Sequence, residues 1–209
     1  MTQRPAAPRS RHGRAAAIVL AIAAGGCALL NGPTAQAPRF YVLTPAPPPT
    51  EPRPSRRLVI GLGPVQLPPY LDRPEMVARV APNQITFDDL NRWGEPLKDN
   101  LVRVLAANLD EQLDLLRVVP YPWYKDTPMD YAVSVAVGRF EPQPDGHVML
   151  IAHWRINESS GDPIVSRDAQ FSRPGGSPAE TAAAMSELVG ELSDTIASAL
   201  RELEAKRAG

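Results

Sequence analysis

The chain has 209 residues, 22 Lys+Arg against 23 Asp+Glu, 24 prolines and a single cysteine. With one cysteine no internal disulfide can brace it, so it must stand on a hydrophobic core, and its length suits one domain of ordinary size. A nearly neutral chain without a Lys/Arg cluster argues against a nucleic-acid binder.

At the amino end, Arg4, Arg9, Arg11 and Arg14 surround or precede small residues, then Ala15–Ala24 is wholly apolar, and no acid occurs before Glu51. A basic start, a short apolar run and a small-residue break are the layout of a secretory signal. Ten helical residues rise about 15 Å, too short for a bilayer core of roughly 30 Å. Residues 1–26 therefore read as an export signal. The segment Ala24-Gly25-Gly26-Cys27 resembles a bacterial lipobox. That resemblance implies cleavage between Gly26 and Cys27, a diacylglycerol thioether on Cys27 and an acylated new amino terminus. Two or three acyl chains, at about 0.8 kcal/mol per buried CH₂, anchor a protein durably where one does not. The alternative is a free cysteine in an ordinary signal, which would leave an unpaired thiol in an oxidising compartment. Ala28 stands where an Asp commonly retains such lipoproteins at the inner membrane. For a Gram-negative host this implies the periplasmic leaflet of the outer membrane. Removing the signal leaves 18 cations against 23 anions, a mature charge of −5.

Residues 27–38 read as a lipidated, flexible tether, and 39–205 as a single globular domain. Extended, the eleven residues after Cys27 span at most about 35–40 Å. Arg39–Leu43 is a first strand. Thr44–Pro54 holds six prolines in eleven residues and reads as a polyproline-like connector outside the core. Arg57–Leu67 is a second strand, in which Gly61, Gly63 and Pro64 predict a bulge or an edge. Met76–Val80 and Gln84–Phe87 form a hairpin around Pro82-Asn83. Pro96 opens a helix to about Leu113, with Leu97, Leu101, Val104, Leu105, Leu109 and Leu113 on one stripe.

The second half reads as a meander of Tyr131–Phe140, Val148–Asn157 and Ile164–Ser172, with turns at Pro144-Asp145-Gly146 and Ser159–Asp162. Alternation puts Val148, Leu150, Ala152, Trp154 and Ile156 on one face of the middle strand. His147, Met149, Ile151, His153 and Arg155 take the other. Ser177, Pro178 and Glu180 spell a capping box before a closing helix. Its apolar face is Met185, Leu188, Val189, Leu192, Ile196, Ala199, Leu200 and Leu203. Together these elements predict an α+β two-layer sandwich: a mainly antiparallel sheet of six or seven strands with two long amphipathic helices on one face.

Motifs of catalysis are missing, so no catalytic residue, cofactor or metal ligand is expected. No G-x-S-x-G occurs, and Gly61-Leu62-Gly63 lacks the third glycine of a dinucleotide loop. His147 and His153 share a strand face but lie about 20 Å apart, beyond joint ligation of one metal. Asp88-Asp89 point to opposite sides of an extended chain, and Glu95 with Asp99 flanks a helix start, where acids favour the dipole.

The stretch Gly61–Arg79 (GLGPVQLPPYLDRPEMVAR), the stretch Arg92–Leu97 (RWGEPL) and Phe40-Tyr41-Val42-Leu43 resemble the ABC-type transport auxiliary lipoproteins, the family of the paraquat-inducible protein C. The resemblance spans roughly residues 39–203. It implies a non-enzymatic outer-membrane lipoprotein of an intermembrane lipid-transport system. Its partner would be a mammalian-cell-entry (MCE) domain protein, and some relatives form homo-oligomeric rings. A different role, assembly of an outer-membrane complex without a part in transport, is the alternative. Pro68-Pro69 and Pro74 stiffen a loop presenting Tyr70, Leu71, Asp72 and Arg73, a set that suits an interface anchor, with Trp93 a further candidate. The competing reading is internal: Tyr70 and Leu71 fill the core, Asp72 pairs with Arg73 or Arg79, and Trp93 plugs the helix start.

Overall fold

The computed structural model describes residues 36–48, 57–124, 126–158, 161 and 163–209. The signal, Cys27, most of the tether, the second half of the Pro-rich connector and most of the Ser159–Asp162 turn lie outside them. Pro38–Gly209 forms one compact unit.

Within this unit the order is β1 (Arg39–Tyr41), β2 (Val59–Gln66), β3 (Glu75–Ala81), β4 (Gln84–Trp93), α1 (Leu97–Leu113), β5 (Arg117–Pro120), β6 (Tyr131–Pro142), β7 (His147–Glu158), β8 (Pro163–Pro174) and α2 (Pro178–Ala208). The strands form two sheets, β1-β4-β3 and β5-β2-β6-β7-β8. This corrects the single, mainly antiparallel sheet expected from the sequence. Both sheets are mixed: β1 runs parallel to β4, and β2 runs parallel to β5 and β6. The reason is chain path. Between β2 and β6 the chain makes the β3–β4 hairpin and α1, a crossover long enough to bring the next strand back in the same direction. The hairpin and the β6–β7–β8 meander are antiparallel, as their short turns require.

The bulge expected in β2 is present, as a register shift between Leu62 and Val65. Gly63 sits there at φ +131°, a conformation that favours glycine, and any side chain would collide with Tyr121. β7 alternates as its sequence requires. Val148, Leu150, Ala152, Trp154 and Ile156 are buried beneath the helices, and the face of His153 and Arg155 looks away.

Both helices cover the same face of the five-stranded sheet. α2 packs on β6, β7 and β8, α1 on β2 and β5, and the two pack on each other. The predicted leucine stripe of α1 is buried throughout. Pro96 is the N-cap of α1, and Asp114 closes the helix in the left-handed region at φ 47°. The capping box of α2 is formed. The Ser177 amide donates to Glu180 Oε2 at 2.7 Å, and the Glu180 amide returns a bond to Ser177 Oγ at 3.4 Å. The bond from the Ser177 amide, helped by the Ser177 side chain, holds the Glu180 carboxyl below the usual range.

One feature of the helix pair was invisible to pattern reading. Asn108 and Ser193 are buried polar residues that meet between the helices, with Asn108 Nδ2 donating to Ser193 Oγ at 3.1 Å. The start of the Pro-rich connector lies over this seam and is pinned to it. The Thr44 amide donates to Ser186 Oγ, and the Ala46 amide to Asn108 Oδ1 at 2.8 Å. Leu43 just before it is fully buried. Residues 43–46 are thus a strap on the core, whereas the sequence placed the connector outside it.

Candidate partner-binding site

The loop between β2 and β3 is shaped by its prolines and two tight hydrogen bonds, Leu71 amide to Pro68 carbonyl and Arg73 amide to Leu71 carbonyl, both 2.9 Å. The turn drives Leu71 inward, where it is 1 % exposed, and lifts Asp72 into solvent. Trp93, 5 % exposed, also belongs to the core, and its amide donates to the Pro74 carbonyl at 2.7 Å. Leu71 and Trp93 therefore act through folding. The internal reading of the sequence holds for these two side chains.

Tyr70 is half-buried and tied to a carboxylate that sequence reasoning missed. Its hydroxyl donates to Glu141 Oε2 at 3.2 Å, while Arg79 Nε donates to Glu141 Oε1 at 3.0 Å. Glu141 has no exposed surface. The Phe140 amide and the Gln143 side-chain amide complete its partners, so every oxygen of the buried acid is satisfied. Burial first, then the charge of Glu141, raises the Tyr70 pKa. The network fastens the loop and β3 of the three-stranded sheet onto β6 of the five-stranded one. Arg79 thus pairs with Glu141 and not with Asp72. Strict alternation gives no hint of Glu141, because the register of β6 shifts between Val137 and Arg139 and buries Phe140 and Glu141 in succession.

Arg73 pairs with Glu75 instead of Asp72. Its Nε donates to Glu75 at 2.8 Å, Arg92 reaches the other oxygen at 2.9 Å, and these bonds, that of Arg73 foremost, lower the Glu75 pKa. The Arg73 guanidinium also lies 3.5 Å from the Phe87 ring centroid, a cation–π stack that holds both side chains flat at the surface.

The three sequence stretches that carried the family resemblance converge here. Asp72, Arg73 and Pro74 from the first, and Trp93, Gly94, Glu95 and Pro96 from the second, line a cavity of about 390 Å³. The third stretch runs alongside: the Gly94 amide donates to the Tyr41 carbonyl at 2.8 Å, and Gly94 faces Val42 and Phe40. Phe40 is 64 % exposed, and Val42 and Phe87 are also exposed. The site is thus a shallow concavity with an acid and a cation at its lip and large apolar side chains at its margins. Exposed apolar side chains around a concavity are the make-up of surfaces that recognise partners by shape and desolvation. The exposure of Phe40, Val42 and Phe87 could not be read from the chain, since short apolar strands look the same buried or bare.

The opposite face of the large sheet carries a polar cluster. His153 Nδ1 lies 2.7 Å from Asp168 Oδ1, and Arg155 Nε donates to His153 Nε2 at 3.2 Å. Ser166 Oγ is 3.1 Å from the same Nε2. With Arg155 Nε and Ser166 Oγ both at Nε2, Nδ1 is the ring atom that faces Asp168. The serine must compete with a permanent cation for its base, in the open, where water screens every charge. His147 lies separately beside Asp145. Among the described residues no group of three or more His, Cys, Asp or Glu is placed to hold a metal.

Residues 41–197 match the model of the ABC-type transport auxiliary lipoprotein component. The chain belongs to this family. An uncharacterised protein of known crystal structure is 23 % identical, with a TM-score of 0.63, 78 % of this chain covered and 99 % of that one. A Xanthomonas campestris protein of the DUF330 family is 18 % identical, with a TM-score of 0.66, 82 % of this chain covered and 100 % of that one. These likenesses show the fold. A PelC dodecamer from Paraburkholderia phytofirmans is 14 % identical over 68 % of this chain and 91 % of that one, and its TM-score of 0.39 is too low to bear on assembly. No curated protein matches the chain.

Proposed function

We propose that this chain is an outer-membrane-anchored accessory lipoprotein of an ABC transport system that moves lipid between membranes. In this reading Cys27 carries the lipid anchor, and the folded domain docks the periplasmic MCE-domain component to the outer membrane. Family membership as a transport auxiliary lipoprotein supports the general role. The first strand begins at Arg39, twelve residues after Cys27 in the sequence, which leaves room for the proposed tether.

The observation that carries the docking reading is the convergence of residues 40–43, 72–74 and 93–96 on one concave surface edged by exposed Phe40, Val42 and Phe87. The test is the double variant Phe40→Ala/Val42→Ala, compared with Trp93→Ala. Removing two exposed side chains leaves stability within about 0.5 kcal/mol each. If either anchors the interface, affinity for the MCE component falls roughly 30-fold, the equivalent of about 2 kcal/mol. Trp93→Ala costs about 3–5 kcal/mol of folding. Unchanged affinity in the double variant removes this surface from the docking role.

A further inference from the structure

Proteins keep the edges of their sheets short or covered, because an open edge is a template for another chain. Three edges here obey. β1 and β5 are three and four residues long, and β3 is tied to β6 by Arg79 and Glu141. β8 does not. It is twelve residues long, pairs with β7 and ends the five-stranded sheet. Among the described residues no strand lies on its other side, and most of its own residues are exposed. Its register with β7 runs without a shift from Val165 to Pro174. Alternate residues of that stretch bond to β7, so the others turn their amides and carbonyls outward. Charged side chains usually guard such an edge. Here each charge is already held within the chain: Arg167 by Glu202 at 3.4 Å, Asp168 by His153 at 2.7 Å and Arg173 by Glu191 at 3.0 Å.

We propose that β8 pairs with β8 of a second copy of this chain, antiparallel and two-fold about Ala169. A two-fold contact sets one surface against itself and closes at two copies. Residues facing each other across an antiparallel pair point to the same side of the sheet. The axis must therefore fall on a residue, and the charges decide which. Centred on Asp168 or on Arg167, that residue meets itself. Centred on Gln170, Arg167 meets Arg173. Like charges directly opposite are destabilising. Centred on Ala169, no like charges meet. Asp168 faces Gln170, Arg167 faces Phe171, Ser166 faces Ser172 and Val165 faces Arg173 of the second copy. The first of these is a hydrogen-bonding pair, and the second sets a cation against a ring. This centre also uses the whole regular stretch from Val165 to Arg173, and centres further out pair fewer residues. The charges on the edge thus select one register. The pairing is independent of the docking role, since β8 contributes no residue to the candidate partner-binding site.

The test is disulfide trapping of the mature lipoprotein in detergent, with wild type, whose one cysteine is Cys27, as background. Directly opposed residues have Cα atoms about 4.5–5.5 Å apart, within the reach of a disulfide. Ala169→Cys should therefore link to itself. A mixture of Ser166→Cys and Ser172→Cys should link crosswise at least tenfold faster than either variant links to itself. Both serines are exposed, so these variants keep the fold. Sedimentation of the wild-type protein should show a dimer, and Gln170→Asp, which sets an acid against Asp168 twice, should weaken it several-fold. A monomer in sedimentation, or a mixture that links no faster than its components, overturns the proposal. A dimer indifferent to Gln170→Asp overturns it as well, because its contact then lies elsewhere. Protection of β8 amides that arises only on adding the MCE component assigns the edge to that partner and also overturns it.

Discussion

Arg79→Met isolates the largest electrostatic commitment in the core. The Arg79 side chain is 14 % exposed and Glu141 not at all, so the variant leaves a buried carboxylate without its countercharge. Breaking a buried pair from one side costs about 3–5 kcal/mol. The bonds from Tyr70, Phe140 and Gln143 remain, which places the expected cost at the lower end, about 3 kcal/mol. For a domain of this size that lowers the melting temperature by roughly 6–12 °C. Tyr70→Phe, which loses only the hydroxyl, costs about 1 kcal/mol. The decisive variant is Arg79→Met/Glu141→Met, in which both charges go and apolar volume stays. Replacing a buried pair by packed hydrophobes is often neutral, so the double variant should recover most of the loss. Denaturant and thermal melts of the three variants measure this. A single variant costing under about 1 kcal/mol, or a double variant as damaged as the single, would refute the account of Glu141 as a satisfied buried charge.

Two predictions concern other parts of the chain. Cys27→Ser should abolish labelling by a palmitate analogue, because a hydroxyl cannot form the thioether; equal label on both proteins removes the anchor from the proposed function. For Glu180, the folded-state carboxyl lies below its unfolded value, so its capping contribution is present above about pH 4.5 and is lost as pH falls through the depressed pKa. The Ser177 amide, which donates to that carboxyl, should therefore lose protection relative to its intrinsic exchange rate on acidification in wild type, and Glu180→Ala should show that loss already at neutral pH.

Legibility varied with the range of the interactions. The capping box of α2, the leucine stripe of α1, the bulge at Gly63 and the inward face of β7 are local, and each followed from residues within a few positions. Strand direction did not. Val59–Gln66 reads as apolar and β-branched whether its neighbour runs parallel or antiparallel, and the choice is made by the crossover through α1. β5 was missed because Arg117-Val118-Val119-Pro120 is too short to show a period and ends in a proline. At the candidate site the prolines marked a loop that makes tight turns, but its charge pairing is not between sequence neighbours. Asp72 lies next to Arg73 in sequence, yet Glu75 and Glu141 take the arginines, because the turn at Leu71 aims Asp72 outward.

The strap over the helix seam links stability to the docking surface, and Asn108→Ala tests the link. Asn108 accepts from the Ala46 amide and donates to Ser193, so truncation strands a main-chain donor and a buried hydroxyl. Ser193 keeps its bond to the Val189 carbonyl at 2.7 Å, which leaves the Ala46 amide as the main loss, about 1–3 kcal/mol. Part of that loss should be local. The strap continues directly from Phe40 and Val42, and β1 is only three residues, held by β4 on one side. Loosening residues 44–46 therefore loosens the exposed side chains proposed to meet the partner. Such side chains bind best when held in place beforehand, because ordering them on contact costs about 0.5–1.5 kcal/mol each. Asn108→Ala should thus speed exchange at Ala46 and weaken the partner several-fold, although Asn108 is buried and touches no partner. Unchanged exchange at Ala46 would show that Leu43 and the Thr44–Ser186 bond alone hold the strap. Faster exchange with undiminished affinity would show that β1 keeps its shape without it.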